Sequence, residues 1–265
     1  MEVKECNSGT LKFLKQKGVK KLETEDALKR AYDLYTLECE SALRLTVASI
    51  ENIRAAFRNK KGRDPINRIL SRIKTFESSR DKCVRRNYDL NMENVRKNIK
   101  DVAGVRIIIE YLDEIPKVVE VIRKLRGIEV ISLKDYVKKP KPSGYRSVHL
   151  CCMVEVYDPY IGLNLIPLEI QLRTEAMNYW AECQHKIYKY KNPPLEVVEE
   201  LKKMAEDFAR YDIALLKLKK YEKTAEINKE AVILSEFCTT KIMTPNANLV
   251  FDEELKPKAT ATFLA

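Results

Sequence analysis

The sequence predicts an α/β (α+β) fold, a mixed sheet of about five strands flanked by helices, with helical extensions at both ends. Three observations carry this. A helical apolar period without Pro or Gly fills 25–57; near Asp101 the period shortens to that of strands; and the segments after it run in the order β-α-β-β-β.

The first element is a helix over 25–57, broken by RNKKGRDP (58–65). A second helix is expected from Asp64–Pro65, an N-cap followed by Pro at the first helical position. It takes in SRIKTFESSRDKCVRR (71–86), with Ile69, Ile73, Phe76 and Cys83 on its packing face. AGVRIIIEY (103–111) is rich in β-formers, 112–127 reads as a helix with a Gly stop, and IEVISL (128–133) is a strand again. A Lys- and Pro-rich loop (138–145) leads into the strand 146–157, and a turn at 158–162 into NLIPLEIQLRT (164–174). A helix over 175–190 follows, and Pro193–Pro194 opens a last amphipathic helix to about 229. The tail, with its Pro, Asn and Thr from 239, is expected to be poorly ordered. The resulting segments are 1–63 (N-terminal helical extension), 64–192 (central domain), 193–230 (C-terminal helix) and 231–265 (tail).

Composition narrows the function. The 265 residues are 45% hydrophobic and 33% charged, and no apolar run approaches the roughly 20 residues that span a bilayer, so no membrane association is expected. The N-terminus is Lys-rich and has no apolar core of a secretory signal. Seven cysteines without C-x-x-C spacing imply reduced thiols in a cytoplasmic protein. The net charge is +10, and 58–100 alone holds 14 Lys or Arg against 5 Asp or Glu, which suits a phosphate-rich ligand or a solvated basic face.

Three stretches can carry chemistry. On a helix, Lys74, Ser78, Lys82 and Arg85 form one cationic stripe fit for a polyphosphate tail. In 164–174 Leu165, Pro167, Glu169, Gln171 and Arg173 alternate with an aliphatic face; Glu169 suits a hard cation such as magnesium, with Asp101 the natural second carboxylate. In KPKPSGYRS (139–147), Tyr145 can stack on a base while Lys141 meets phosphate. His149 and His185, the only histidines, read equally well as core residues.

In combination, RIKTFES (72–78), KDVAGVRIII (100–109), KDYVKKPKPSGYRSVHL (134–150) and PLEIQLRTEAMNYWAECQHKIYKYK (167–191) resemble the synthetase domain of the RelA/SpoT family, in particular its small single-domain alarmone synthetases. The resemblance implies a nucleotidyltransferase-like domain that moves pyrophosphate from ATP onto the ribose 3′-hydroxyl of GDP or GTP, with GMP a further acceptor to test, releasing AMP. It assigns Arg72, Lys74, Ser78, Lys82, Arg85 and Arg106 to ATP, and Asp101 and Glu169 to Mg2+, Glu169 also accepting the 3′-proton. Tyr145 stacks on guanine, Lys134 and Lys141 meet the acceptor phosphates, and Ser143, His149, Gln171 and Asn178 surround its base and ribose. Two positions depart from the pattern: Ser143 where many relatives carry Asn, and Gln184 where small synthetases carry Glu. With two histidines, both in this region, the family's His-Asp hydrolase is not expected. Homotetramers built through terminal helices are common in the family. Two alternatives stay open: a toxin-type relative that modifies the tRNA 3′ end or an adenosine nucleotide, using a basic track of Lys12, Lys15, Lys17, Lys20, Lys21 and 58–63, and an inactive nucleotide-binding module.

Overall fold

A computed structural model describes residues 24–159, 162–189 and 193–242, with side chains at 61, 189 and 222–242 left out of the description. The basic N-terminal positions 12–21 and the tail from 243 lie outside the described residues. The chain divides into two compact units, Met1–Leu216 and Lys217–Ala265; the described part of the second is helical. Among the described residues no helix is long and apolar enough to cross a membrane.

Helix α1 (Glu25–Lys61) starts on Thr24, whose hydroxyl accepts from the Ala27 N–H, and stops at Gly62 in the left-handed region (φ 66°). Leu28, Tyr32, Tyr35, Cys39, Ala42, Ile50 and Ile53 recur at helical spacing and are all buried. They lie against the aliphatic face of a five-stranded mixed sheet, order β1-β2-β5-β4-β3. The strands are β1 (Ile66–Ile73), β2 (Ala103–Ile109), β3 (Ile128–Asp135), β4 (Val148–Asp158) and β5 (Gly162–Thr174). Among the described strands only β2 and β5 pair in parallel. Val105, Ile107, Leu168, Ile170, Leu172, Leu150 and Cys152 supply the sheet's side of this core. Each large aliphatic side chain so buried contributes about 1.5–3 kcal/mol. Among the described residues Cys39, Cys83, Cys151, Cys152 and Cys183 carry free thiols.

The expected helix from Asp64 is the principal correction. Residues 66–73 are strand β1, and α2 (Phe76–Arg85) begins only after Thr75, which accepts from the Ser78 N–H. Two causes are visible. The Asp64 carboxylate caps no helix: it receives Arg54 Nε at 2.8 Å, Arg58 at 3.1 Å and the Ile66 N–H at 2.9 Å, turning α1 into β1. A register shift between Ile66 and Arg68 then breaks the two-residue alternation, so Ile66, Ile69 and Ile73 imitate helical spacing. Ile69 and Ile73 pack on the core from a strand, and Lys74 sits before the cap of α2.

The remaining helices are α3 (Met92–Asn98), α4 (Ile115–Ile122, after a 3-10 turn at Leu112–Glu114), α5 (Glu175–Lys189) and α6 (Leu195–Ile242), which continues past the expected end near 229. A second small core of Tyr145, Trp180, Ala181 and Ala205 joins the 138–147 loop to α5 and α6. There Trp180 Nε1 donates to the Leu201 carbonyl at 2.7 Å and Arg146 to the Ala205 carbonyl at 3.0 Å.

Candidate active site

Strand register builds the site. Because side chains alternate, the face opposite the aliphatic core receives two rows that cross the sheet. One row runs Arg72, Gly104, Glu169, Cys151, Ser132; the next runs Leu70, Arg106, Gln171, His149, Lys134. Two clefts lie on this face. One, bounded by Leu70, Arg72, Gly104, Arg106 and Gln171, is a recess of about 90 Å³. The other, about 330 Å³, is bounded by cations, among them Lys82, Arg86, Lys100 and Lys134. Asp101 and Glu169 border both clefts.

The carboxylates differ in their surroundings. Asp101 accepts from Lys74 Nζ at 3.0 Å and Lys82 Nζ at 2.8 Å. Burial pushes its carboxyl up, but the Lys82 hydrogen bond and the charges of Lys74 and Lys82 outweigh it, so the group stays below the ordinary range. Lys74 is itself held by the fold: its carbonyl accepts from Tyr32 Oη of α1 at 2.7 Å and its N–H donates to Val102. Glu169 receives His149 Nδ1 at 3.1 Å on Oε1 and Gln171 Nε2 at 2.5 Å on Oε2. Burial raises its carboxyl too, and the hydrogen bonds from His149 and the Gln171 amide more than reverse this. Both carboxyls are therefore anionic at neutral pH.

Around them the site is cationic. Burial first, then the charges of Arg173 and Arg72, lower the Arg106 guanidinium to about 10. Arg106 donates to Asn178 Oδ1 at 3.0 Å, and the Asn178 amide donates to Glu182 at 2.9 Å. Lys141 Nζ lies 4.7 Å from the Tyr145 ring centroid and 4.6 Å from that of Tyr136. Burial, opposed by the Glu169 charge, holds this ammonium below its ordinary value.

Most residues singled out from sequence converge here: Arg72, Lys74, Lys82, Asp101, Arg106, Lys134, Tyr145, His149, Glu169, Gln171 and Asn178 border a cleft or touch a residue that does, and Lys141 lies over the Tyr145 ring. Three do not. Arg85 is exposed at the end of α2, where its neighbour Arg86 borders the larger cleft. Ser78 is exposed on the first turn of α2, and Ser143 lies inside the tight turn closed by Gly144 N–H and the Lys141 carbonyl. Sequence reading passed over Tyr136, Glu182, Arg86 and Lys100. All four lie within stretches quoted above, but nothing in the local pattern singles them out; strand pairing and helix packing bring them to the site. Arg58 and Arg63, offered as part of a tRNA track, are occupied: Arg58 by Asp64, Arg63 by Glu110 and Glu114.

Two carboxylates bordering two phosphate-sized clefts fit a divalent cation that takes its other ligands from substrate phosphates and water. No cluster of three or more His, Cys, Asp or Glu suited to hold a metal occurs among the described residues.

Comparison with known proteins decides the family. Residues 71–193 match the region found in RelA / SpoT proteins. The chain is 38% identical over 162 residues to GTP pyrophosphokinase YwaC of Bacillus subtilis (strain 168), spanning 60% of this chain and 76% of that relative. The chain belongs to the RelA/SpoT family. A second relative, GTP pyrophosphokinase YjbM of the same organism, is 29% identical over 185 residues, 69% of this chain and 86% of its own length. Among solved structures, small alarmone synthetase 1 from Bacillus subtilis, bound to its product pppGpp, superposes with a TM-score of 0.68 at 25% identity, covering 72% of this chain and 98% of that one. Small alarmone synthetase 2 from Bacillus subtilis gives a TM-score of 0.65 at 33% identity, with coverages of 72% and 98%. The mixed sheet with flanking helices is thus the fold of the family's small synthetases.

Proposed function

We infer that the chain transfers pyrophosphate from ATP to the ribose 3′-hydroxyl of GDP or GTP, making guanosine alarmones and releasing AMP. The observation that carries this reading is the meeting of two cation-lined clefts at Asp101 and Glu169. The donor nucleotide occupies the recess between Arg72 and Arg106, with its phosphates reaching Lys74 and Lys82. The acceptor lies on the Tyr145, His149 and Gln171 side, its 5′-phosphates toward Lys134 and Lys141. The acceptor oxygen attacks the β-phosphorus, the bond from that phosphorus to the α,β-bridging oxygen breaks, AMP leaves, and the hydroxyl proton passes to Glu169. Transfer of this type asks little covalent work of a protein; it needs in-line placement and charge over the phosphates. Asp101 and Glu169 would hold a divalent metal, Mg2+ in this reading, which would neutralise charge on the transferring phosphates.

The test is a transfer assay with γ-labelled ATP, Mg2+ and, in parallel, GMP, GDP, GTP, ATP alone or deacylated tRNA. Because the β- and γ-phosphates move together, label appearing on a guanosine nucleotide with AMP, not ADP, as the other product supports the reading and ranks the acceptors. Label on tRNA with the guanosine nucleotides untouched overturns it.

A further inference from the structure

Five side chains close a ring of hydrogen bonds on the acceptor side of the site. Arg173 donates to Tyr145 Oη at 2.7 Å and to Gln171 Oε1 at 2.8 Å. Gln171 Nε2 donates to Glu169 Oε2 at 2.5 Å, His149 Nδ1 meets Glu169 Oε1 at 3.1 Å, and His149 Nε2 meets Tyr145 Oη at 2.7 Å. The chemistry of the members fixes the direction of every bond. A guanidinium only donates and an ionised carboxylate only accepts, so the Tyr145 oxygen accepts from Arg173, Nδ1 is committed to Glu169, and the Tyr145 proton meets the lone pair of Nε2 on a neutral imidazole. Nδ1 then carries the imidazole proton and gives it to Glu169. The amide follows the same logic, its oxygen toward Arg173 and its NH2 toward the carboxylate. Two arms thus leave Arg173, one through Gln171 and one through Tyr145 and His149. Every donor in both points toward Glu169.

Arg173 is poorly placed for any other task. Its residue is 4% exposed, its Nε has no hydrogen-bond partner, and no ion pair to it occurs among the described residues. A buried guanidinium without a carboxylate beside it is costly, and a chain retains one where its charge is used. Here the compensating anion is Glu169, reached only through the two arms.

We propose that Arg173 is a positioning residue for the transfer reaction, setting the bond direction of both arms so that Glu169 and Tyr145 are held in their working orientations. This rests on the pyrophosphate-transfer reading above. Loss of the anchor frees Gln171 and Tyr145 to turn, and a misplacement on the order of 1 Å at a reacting group costs about 100-fold in rate.

The experiment compares wild type, Arg173→Met, Arg173→Lys, Tyr145→Phe and the Arg173→Met/Tyr145→Phe double variant in steady-state transfer from ATP to GDP with Mg2+, with circular dichroism as the check on folding. Arg173→Met is expected to lower kcat about 100-fold and raise the GDP KM, with the ATP KM changed by less than about twofold. Arg173→Lys, which keeps a donor cation, should recover about tenfold of that loss. The double variant should fall no further than about threefold below Arg173→Met, because both lesions break one unit. Independent, multiplying effects, or wild-type kcat in Arg173→Met, overturn the proposal. Should Arg173→Met fail to fold, Gln171→Met combined with Tyr145→Phe breaks each arm once, and the same rule decides: a double equal to the worse single supports the ring, a product overturns it. Wild-type chain that transfers nothing overturns the transfer reading and this inference together; variants that fail against an active wild type overturn the inference alone.

Discussion

Asp101 Oδ1 accepts a hydrogen bond from Lys82 Nζ at 2.8 Å, tying the segment before β2 to α2. Its other oxygen takes Lys74. One carboxylate therefore occupies both ammonium groups assigned to the donor phosphates. A bound divalent cation and a polyphosphate share out these partners differently, cation to carboxylate and phosphate to lysine.

Asp101→Asn should separate binding from turnover. The neutral amide competes more weakly for Lys74 and Lys82, so ATP binding measured in EDTA is expected to hold or tighten. Transfer with Mg2+ is expected to fall about 100-fold or more, because the cation has lost a ligand. Binding and turnover weakened in equal measure would place Asp101 in simple structural support.

Glu169→Gln keeps the shape and reverses half the polarity. One Glu169 oxygen faces Gln171 Nε2 and the other His149 Nδ1, both donors, so the new NH2 meets a donor whichever way it turns. A drop in kcat of about 1,000-fold is expected, with little change in the far-ultraviolet spectrum. Near-normal turnover removes Glu169 from the mechanism.

Gly144 gives a handle on the acceptor side alone. Its φ is 90°, and a Cβ added there would lie 2.5 Å from Ala205 Cβ on α6. Gly144→Ala therefore meets both a left-handed backbone and a neighbour that must move, at a cost of about 1–3 kcal/mol. Since this turn carries Lys141 and Tyr145, the GDP KM should rise while the ATP KM stays put. Equal shifts in both would detach the loop from acceptor binding.

What was legible in the sequence follows from how local each signal is. The Glu169, Gln171, Arg173 face is written in the alternation of one strand, and α1 in its own apolar stripe. Strand β1 was illegible, because the shift after Ile66 imposes helical spacing on an edge strand, and Asp64–Pro65 imitates a helix start. The site's closure was also hidden. His149 faces Gln171, and Arg106 faces it from the other side, only through pairing of distant strands. That Arg86 and not Arg85 borders the larger cleft is a matter of one helical step of 100°, which the local pattern does not resolve without knowing where α2 begins.

Asp212 carries a pH dependence that can be read without any substrate. It is 4% exposed on α6 and accepts from Thr174 Oγ1 at 2.8 Å, while the same hydroxyl accepts the Met177 N–H at the start of α5. Burial pushes its carboxyl from 3.8 up to about 6, against the pull of the Thr174 hydrogen bond and the Arg146 charge. Between those values the folded chain binds more protons at this site than the unfolded chain. Stability is therefore lost as pH rises from 3.8 to about 6 and stays lowered above, by on the order of 3 kcal/mol. Asp212→Asn cannot ionise, yet its amide oxygen still accepts from Thr174. In urea denaturation at pH 7.5 the variant is expected to gain on wild type, and at pH 4.5 most of that gain should vanish. A difference of the same size at both pH values would show that the Asp212 carboxyl titrates alike in the folded and unfolded chain.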